Sequence, residues 1–277
     1  MLRSEAKALL DGKSYTVLTI ACDLILDNVQ QTDRRLLTYW SDIATAAPEV
    51  LVGVRDPKLA DVKRFEVLGE MAQYMTRLWN ERVNAPPGND LISMLAHNPA
   101  TRHLTPLEFM GNCALLIVGG NDTTRNSMTG GLLALSQHPD EWRKLRADPG
   151  LIDSLVPEII RWQTPLAHMR RTALADVELG GKRIRRGDKV VMWYLSGNRD
   201  EQVIAQADRF IIDRARPRQH QSFGFGIHRC VGNRLAELQL KVLWEEILQR
   251  FPTIEVVGPA VRVRSNFVHG FSALPVR

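Results

Sequence analysis

The spacing of apolar residues predicts a chain built mostly of helices. Over much of the first 165 positions, apolar residues recur every three to four residues, the repeat of one face of an α-helix. Breaks at glycine and proline divide this pattern into separate helices. The predicted helices are Met1 to Asn28 (with a turn at 11–12 and a core helix from Tyr15 to Val29), Thr32 to Ala46, Pro57 to Val83, Asp90 to Ala96, Thr105 to Gln137, His138 to Arg146, Leu151 to Trp162 and Asn233 to about Arg250.

Beyond Pro165 the apolar positions alternate with polar ones, which is typical of half-buried strands. The predicted strands are 177–179 and 182–184 across a turn at Gly180-Gly181, then 189–194, and in the tail 253–257 and 261–264 as a second small sheet. Residues 196–221 fit neither repeat and are expected to be irregular. The predicted fold class is mainly α with small antiparallel β-sheets, in one domain over residues 1–277.

The longest predicted helix has a clear start and an unusual middle. Thr105 and Glu108 have the spacing of a capping box, and Pro106 falls at the first helical position. Midway, Gly119-Gly120 each cost up to about 1 kcal/mol relative to alanine in a helix interior, so they need a structural reason. One is close packing against another helix. The other is a local opening that admits a small ligand, with Thr123 on the same face and Asp122 beside it.

A glycine-rich loop from Phe223 to Gly232 delivers one cysteine, Cys230, to the start of the last long helix. Glycines permit positive φ and a close approach of the backbone to a flat ligand. The positive end of a helix and its free N–H groups favour a thiolate, the form of cysteine that binds metals. A purely structural turn would have a similar composition.

Two of these segments, with a third between them, resemble the motifs of the cytochromes P450. The loop reads F-x-x-G-x-H-x-C-x-G, similar to the family's haem-binding loop, and Gly119–Thr124 is similar to its oxygen-binding segment. Between them Glu158 and Arg161 form an E-x-x-R pair three residues apart on one helical face. The resemblance covers essentially the whole chain and implies that this pair locks the core together with a further arginine, for which Arg209 is the candidate.

The resemblance implies a haem b cofactor (iron protoporphyrin IX) and a role for each matching residue. Cys230 would be the axial ligand that donates electron density to the iron. Two cations, His228 and either Arg171 or its neighbour Arg170, would bind the haem propionates. The remaining positions expected to contact the cofactor are Phe223, Gly226, Gly232 and Gly119.

By the same resemblance, Asp122 and Thr123 would relay protons to dioxygen, so that one oxygen atom enters a C–H bond of a hydrophobic substrate. The match is most similar to bacterial members that hydroxylate the ends of alkane or fatty-acid chains. The positions expected to line the substrate pocket are Leu115, Val118, Leu166, Ala167, Val268 and Phe271. Electrons from NAD(P)H would arrive through a reductase and an acidic ferredoxin, for which Arg229, Arg234 and Lys241 are candidate docking charges.

Composition limits the partners, cysteine-based sites and locations that the protein could have. The 277 residues carry a net charge of +5 without an arginine-rich run, so we expect no nucleic-acid partner. Three widely separated cysteines provide neither a zinc motif nor a disulfide framework, and Cys22 and Cys113 are expected to be small buried hydrophobes. No secretory signal or membrane span is recognisable, which predicts a cytoplasmic protein.

Three alternatives remain at this point. Family members are longer, and the position of the glycine-bearing helix predicts that roughly the first third precedes Met1; the chain would then be a non-catalytic haem-binding fragment. A haem carrier or gas sensor would keep the cysteine but has no need of Asp122 and Thr123. A cysteine hydrolase could use Cys230 with His228, although no third group that would orient the histidine is evident.

Overall fold

The computed structural model describes residues 31–45 and 56–277. Within these ranges, six α-helices longer than one turn come first, followed by four short strands, a seventh such helix and two further strands. The helices are α1 (Gln31–Thr45), α2 (Pro57–Val83), α3 (Leu91–His97), α4 (Pro106–Gln137), α5 (Pro139–Ala147), α6 (Ile152–Gln163) and α7 (Asn233–Arg250). Each confirms a predicted helix to within about two residues at either end. The helices predicted for Met1 to Asn28 lie outside the described residues.

The capping box predicted for the longest helix is present. Thr105 accepts a hydrogen bond from the backbone N–H of Glu108, and Glu108 Oε2 accepts one from the Thr105 N–H at 2.8 Å. These bonds satisfy backbone donors that the first helical turn leaves without partners. The chain therefore enters α4 in a fixed conformation at Thr105.

Two hydrophobic cores lie along α4. Its N-terminal half packs with α1, α2 and α3 around Leu37, Trp40 and Met75. Its C-terminal half packs with α5, α6 and α7 around Leu155 and Trp244. α4 therefore contributes to both cores, and the Gly119–Thr124 segment lies between the parts that build them.

In the described part of the chain, three two-stranded antiparallel sheets accompany the helices. The predicted pair β2 (Val177–Leu179) and β3 (Lys182–Ile184) is confirmed, and β4 (Lys189–Trp193) pairs with β1 (His168–Thr172), a strand that the sequence analysis did not identify. The prediction for the tail was wrong in its pairing. β5 (Val261–Arg262) pairs with β6 (Phe271–Ala273), and the 253–257 segment contributes only an isolated bridge between Val256 and Val276.

A fully buried ion cluster joins α6 to the irregular segment before the cysteine loop. Glu158 accepts two hydrogen bonds of 2.8 Å from Arg161, and both side chains are inaccessible to solvent. Arg214 donates to the same carboxylate at 3.0 Å. The prediction of Arg209 as the third member was wrong: only its backbone carbonyl takes part, accepting from Arg161 and Arg214. Spacing alone could not distinguish two arginines of one irregular segment.

Candidate functional site

The loop that carries Cys230 is held in a tight conformation by its own backbone. The N–H of Cys230 donates to the carbonyl of Phe223 at 2.8 Å, which closes the loop across its base. Gly224 and Gly226 have φ values of 67° and 75°, a region that side-chain-bearing residues rarely adopt. A Cβ atom on Gly224 would also lie 3.0 Å from the Tyr194 hydroxyl. The two glycines thus fix the path of the backbone before the cysteine.

Asn198 connects this loop to the buried ion cluster. Its backbone carbonyl accepts from Arg161, and its amide donates to the hydroxyl of Ser222 and accepts from the N–H of Gln221. Phe223, next along the chain, packs against the core formed by α4, α6 and α7. The start of the loop is therefore fixed to the rigid part of the molecule.

The Cys230 thiol lies at the surface, two residues before Gly232, which caps α7. Partial desolvation raises the pKa of the thiol, although the N–H of Gly232 and the charge of Arg229 both lower it. The sequence analysis predicted that the helix start would favour the thiolate. The predicted groups are present, but their effect is smaller than that of desolvation. Binding to a metal would deprotonate the sulfur outright.

Three large apolar side chains around the thiol face outward. Phe225, Ile227 and Val231 are 89%, 97% and 99% exposed, whereas Phe223 of the same loop is partly buried in the core. Several exposed apolar side chains close in sequence to one thiol indicate a ligand site better than single exposed residues do. The surface therefore suits a flat, apolar ligand that approaches the sulfur.

The residues fit a haem. Within residues 31–45 and 56–277, no group of three or more His, Cys, Asp or Glu side chains could hold a bare metal ion. A metal on Cys230 therefore needs a group that brings its own donor atoms, as a porphyrin does. His228 and Arg171 could pair with the propionates of a porphyrin. Both side chains are exposed, and neither forms an ion pair within the described ranges.

Strand β1 distinguishes the two candidate arginines. Successive side chains of a strand point to opposite faces, so Arg171 shares a face with Met169 and Arg170 shares one with His168. The ring of His168 packs against Trp193 and Phe267, which places Arg170 on the face of that aromatic cluster. The two arginines therefore lie on opposite faces of β1, and the choice of Arg171 stays a prediction.

On α4, neither reason given for the glycine pair applies to Gly119. The helix is continuous from Pro106 to Gln137, so the predicted local opening is not present. Close packing is not present at Gly119 either, because a Cβ atom there would meet nothing within 4 Å. The hydroxyl of Thr123 instead donates to the Gly119 carbonyl at 3.0 Å. The glycine leaves open space beside a helix turn whose carbonyl is already hydrogen-bonded to Thr123.

Asp122 faces away from that space and toward α1. Its side chain is 2% exposed and accepts from the Thr45 hydroxyl at 2.8 Å and from Arg125 at 2.9 Å. Arg125 also pairs with Asp42 of α1. Desolvation raises the pKa of the Asp122 carboxyl, against the opposing influence of Arg125 and Thr45. The acid and the alcohol of the predicted pair thus have separate hydrogen-bond partners.

Most residues predicted to line a substrate pocket lie on three segments that the structure connects. Leu166 forms a β-bridge with Val268, and Ala167 donates its N–H to Phe267. Phe271 donates its N–H to Asn126 of α4, while Leu115, on the outward side of α4, is 71% exposed. Val118 is half-buried on the same helix. Asn126 itself was missed, because an isolated asparagine in a helix has no sequence signature.

Two of the three candidate docking cations are already paired. Arg234 contacts Glu237 at 3.4 Å and Lys241 contacts Asp153 at 2.5 Å. Arg229 is exposed beside Cys230. The docking role stays a prediction for all three residues.

No helix in the described ranges combines the length and the apolar character that crossing a membrane requires. The cysteine-hydrolase alternative finds no support in the loop, because His228 and Cys230 share no hydrogen bond.

Comparisons with known proteins agree with this geometry. The family model "Cytochrome P450" matches residues 150–263. Linalool 8-monooxygenase of Pseudomonas putida is 44% identical over 81% of this chain and 56% of its own length. The methyl-branched lipid omega-hydroxylase of Mycobacterium bovis is 36% identical over 94% of this chain and 59% of its own length.

A solved structure extends the likeness to the whole chain. Cytochrome P450-153 from Novosphingobium aromaticivorans superposes with a TM-score of 0.88 at 47% identity, covering 100% of this chain and 69% of that one. This chain therefore spans little more than half of the two curated relatives and about two thirds of the structural neighbour. It belongs to the cytochrome P450 family.

Proposed function

We propose that the protein is a haem-dependent monooxygenase that inserts one oxygen atom of O₂ into a C–H bond of a hydrophobic substrate. The observation that carries the proposal is the Cys230 thiol, surrounded by the exposed Phe225, Ile227 and Val231 at the start of α7. An apolar ligand surface with a single sulfur donor has the properties that thiolate ligation of haem requires.

The chain's own residues would position the cofactor and handle protons. Cys230 would bind the iron, and Arg171 and His228 would pair with the propionates; when bound, haem supplies the chemistry that activates dioxygen. The Thr123 hydroxyl, whose proton is donated to the Gly119 carbonyl, lies beside the open space at Gly119 and would accept a hydrogen bond there. Asp122, whose pKa is raised by desolvation, would act in the same relay.

For the substrate, we propose hydroxylation at the end of an alkane or fatty-acid chain. The candidate pocket residues are apolar, and one relative is named an omega-hydroxylase of methyl-branched lipids. The electrons would come from NAD(P)H through a reductase and a ferredoxin that docks near Arg229. An acidic partner would complement the positive charge beside the thiol.

Two measurements on the haem-loaded protein test the proposal. The reduced, carbon-monoxide-bound spectrum should show the strongly red-shifted Soret band of thiolate-ligated haem. With a bacterial ferredoxin, its reductase and NADH, a medium-chain alkane or fatty acid should yield the terminal alcohol. A Soret band at the position of histidine-ligated haem would contradict the role of Cys230.

The Thr123→Ala variant tests the proton relay. Without the hydroxyl, electron use should continue while product per NADH falls by about a hundredfold, the lower end of the range for general acid–base groups. Thr129→Ala is the control, because Thr129 likewise donates to a carbonyl one turn back on α4. Unchanged coupling in Thr123→Ala would exclude the relay.

One observation supports a second candidate function, a haem-binding protein without turnover. The Asp122 carboxyl is hydrogen-bonded to Thr45 and Arg125 and makes no bond to Thr123. A protein with the red-shifted spectrum but no product from any chain substrate would match this second function.

A further inference from the structure

The segment from Ser265 to Phe271, between β5 and β6, carries two of the candidate pocket residues, Val268 and Phe271. Side chains from two helices that are distant in sequence hold this segment in place through hydrogen bonds. Asn126 of α4 accepts the Phe271 N–H at 2.9 Å, and Gln163, the last residue of α6, donates to the His269 carbonyl at 2.5 Å. Both amide side chains are at least 98% buried.

The contact of Gln163 with His269 is reciprocal. The backbone carbonyl of Gln163 accepts from Nδ1 of His269 at 2.5 Å, and the His269 backbone N–H donates to the Pro165 carbonyl at 2.9 Å. Three hydrogen bonds therefore join the end of α6 to one residue of the segment. Buried amides with satisfied bonds of this kind specify one arrangement, since a shifted segment would leave polar groups without partners.

Glycines make room for both amides. A Cβ atom on Gly270 would lie 2.7 Å from the Asn126 amide, and one on Gly130 of α4 would lie 2.6 Å from Cδ of Gln163. Real Cβ atoms do not approach other atoms this closely. Each amide thus fills the space that a side chain at the glycine would take, and the distance from α4 to the segment is set by the length of the amide.

The other end of the segment is fixed by a hydroxyl. Ser265 Oγ accepts from the N–H groups of Phe267 and Val268 at 3.1 and 3.0 Å. The same hydroxyl contacts the carbonyl of Thr45, the last residue of α1, at 3.4 Å. Val268 therefore lies between two fixed points, Ser265 and His269.

We propose that Asn126 and Gln163 are positioning residues that determine substrate selection by setting the distance between α4 and the wall formed by Val268 and Phe271. They act through the backbone of Ser265–Phe271. This inference rests on the proposed function, because the wall matters only if a hydrophobic chain binds there. A pocket wall discriminates between chains that differ by one methylene through small changes of position.

The test compares three variants of the haem-loaded protein. Gln163→Met removes the amide donor while keeping the side-chain length. Gly130→Ala leaves all polar groups in place and displaces Gln163. Gly111→Ala is the matched control on α4, because a Cβ atom there meets nothing within 4 Å.

Dissociation constants are measured from substrate-induced shifts of the haem spectrum, with saturated fatty acids of increasing chain length. Amide hydrogen exchange over residues 265–271 is recorded in the same samples. Gln163→Met and Gly130→Ala should change the ratio of dissociation constants between short and long chains by about threefold or more. Exchange over the segment should rise by about tenfold, while Gly111→Ala matches the wild type in both measurements.

Faster exchange with an unchanged preference among chain lengths would overturn the inference and leave the two amides a purely structural role. Unchanged exchange would overturn it as well. If wild-type protein has the red-shifted spectrum but binds no chain of any length, the proposed substrate class fails, and the exchange data still report whether the amides hold the segment.

Discussion

The ion cluster at Glu158 and the loop at Cys230 are joined through Asn198, yet they are completed in different ways. At Glu158 a buried carboxylate has two arginines and a backbone N–H as partners, all supplied by the chain. At Cys230 the thiol has one backbone N–H and three apolar side chains that face outward. In the first region the chain itself supplies the hydrogen-bond partners, whereas the second leaves apolar side chains exposed that a ligand could cover.

This difference separates residues that hold the fold from residues that hold a cofactor. A change at Glu158 should affect the free energy of unfolding, because it leaves buried charges without partners. A change at Cys230 should affect cofactor binding with little effect on the apoprotein, because the side chain is exposed. The predictions below test this separation.

The largest effect is expected for Glu158→Gln. Removing the charge leaves Arg161 and Arg214 buried with no carboxylate, which should lower the free energy of unfolding by about 3–5 kcal/mol. Urea denaturation of the apoprotein measures the loss.

Asp140→Asn is the control for this loss, because Asp140 also pairs with an arginine three residues away, but both side chains are 76% exposed. Its stability should be nearly unchanged. Equal losses in the two variants would contradict the special role of the buried cluster.

A pH effect is expected from His220, which lies between the two regions. Desolvation, together with the charges of Arg161, Arg229 and Arg218, lowers the pKa of His220 from 6.5 to about 4. Between these values the unfolded chain binds a proton that the folded protein does not, so stability falls as the pH falls. By pH 4 this difference in proton binding lowers the free energy of unfolding by about 3 kcal/mol.

The variant His220→Asn should remove this part of the pH dependence while keeping an acceptor for the Ser222 N–H. Denaturation curves at several pH values between 4 and 7 provide the measurement. A slope that His220→Asn does not change would show that other groups cause it.

A smaller effect on the free energy of unfolding should distinguish two glycines of α4. In Gly131→Ala the new methyl group would meet Ile159 Cδ1 at 2.6 Å, so overpacking should cost about 1–3 kcal/mol. In Gly119→Ala it meets nothing within 4 Å, and the better helix propensity should add up to about 1 kcal/mol. Thermal unfolding of the apoproteins measures both. A loss in Gly119→Ala would mean that this side of the helix is packed.

The smallest effect on stability is expected for Cys230→Ser. Its unfolding free energy should change by less than about 0.5 kcal/mol, as for other exposed substitutions. The red-shifted Soret band of the carbon-monoxide complex should nevertheless be lost, since a hydroxyl does not replace a thiolate on iron. Retention of the band would show that another residue is the ligand.

Local chemistry made most of the helices predictable. The Thr105 box, the Asp90 cap of α3 and the glycine turn between β2 and β3 each involve residues a few positions apart. The motif around Cys230 was readable for the same reason, because the loop closes on itself between Phe223 and Cys230. Residues that interact within one loop or one helical turn are close in sequence, so their interaction can be recognised from their spacing.

The sequence by itself determined the described helices and the hairpin, and it predicted which residues would meet a cofactor. Only the tertiary structure decided that Arg214 rather than Arg209 pairs with Glu158, that β5 pairs with β6, and that Asp122 faces α1. It also showed that helix packing requires glycine at Gly130 and Gly131 but not at Gly119. These outcomes depend on which distant segments meet, and segments separated by many residues meet through packing that no local pattern encodes.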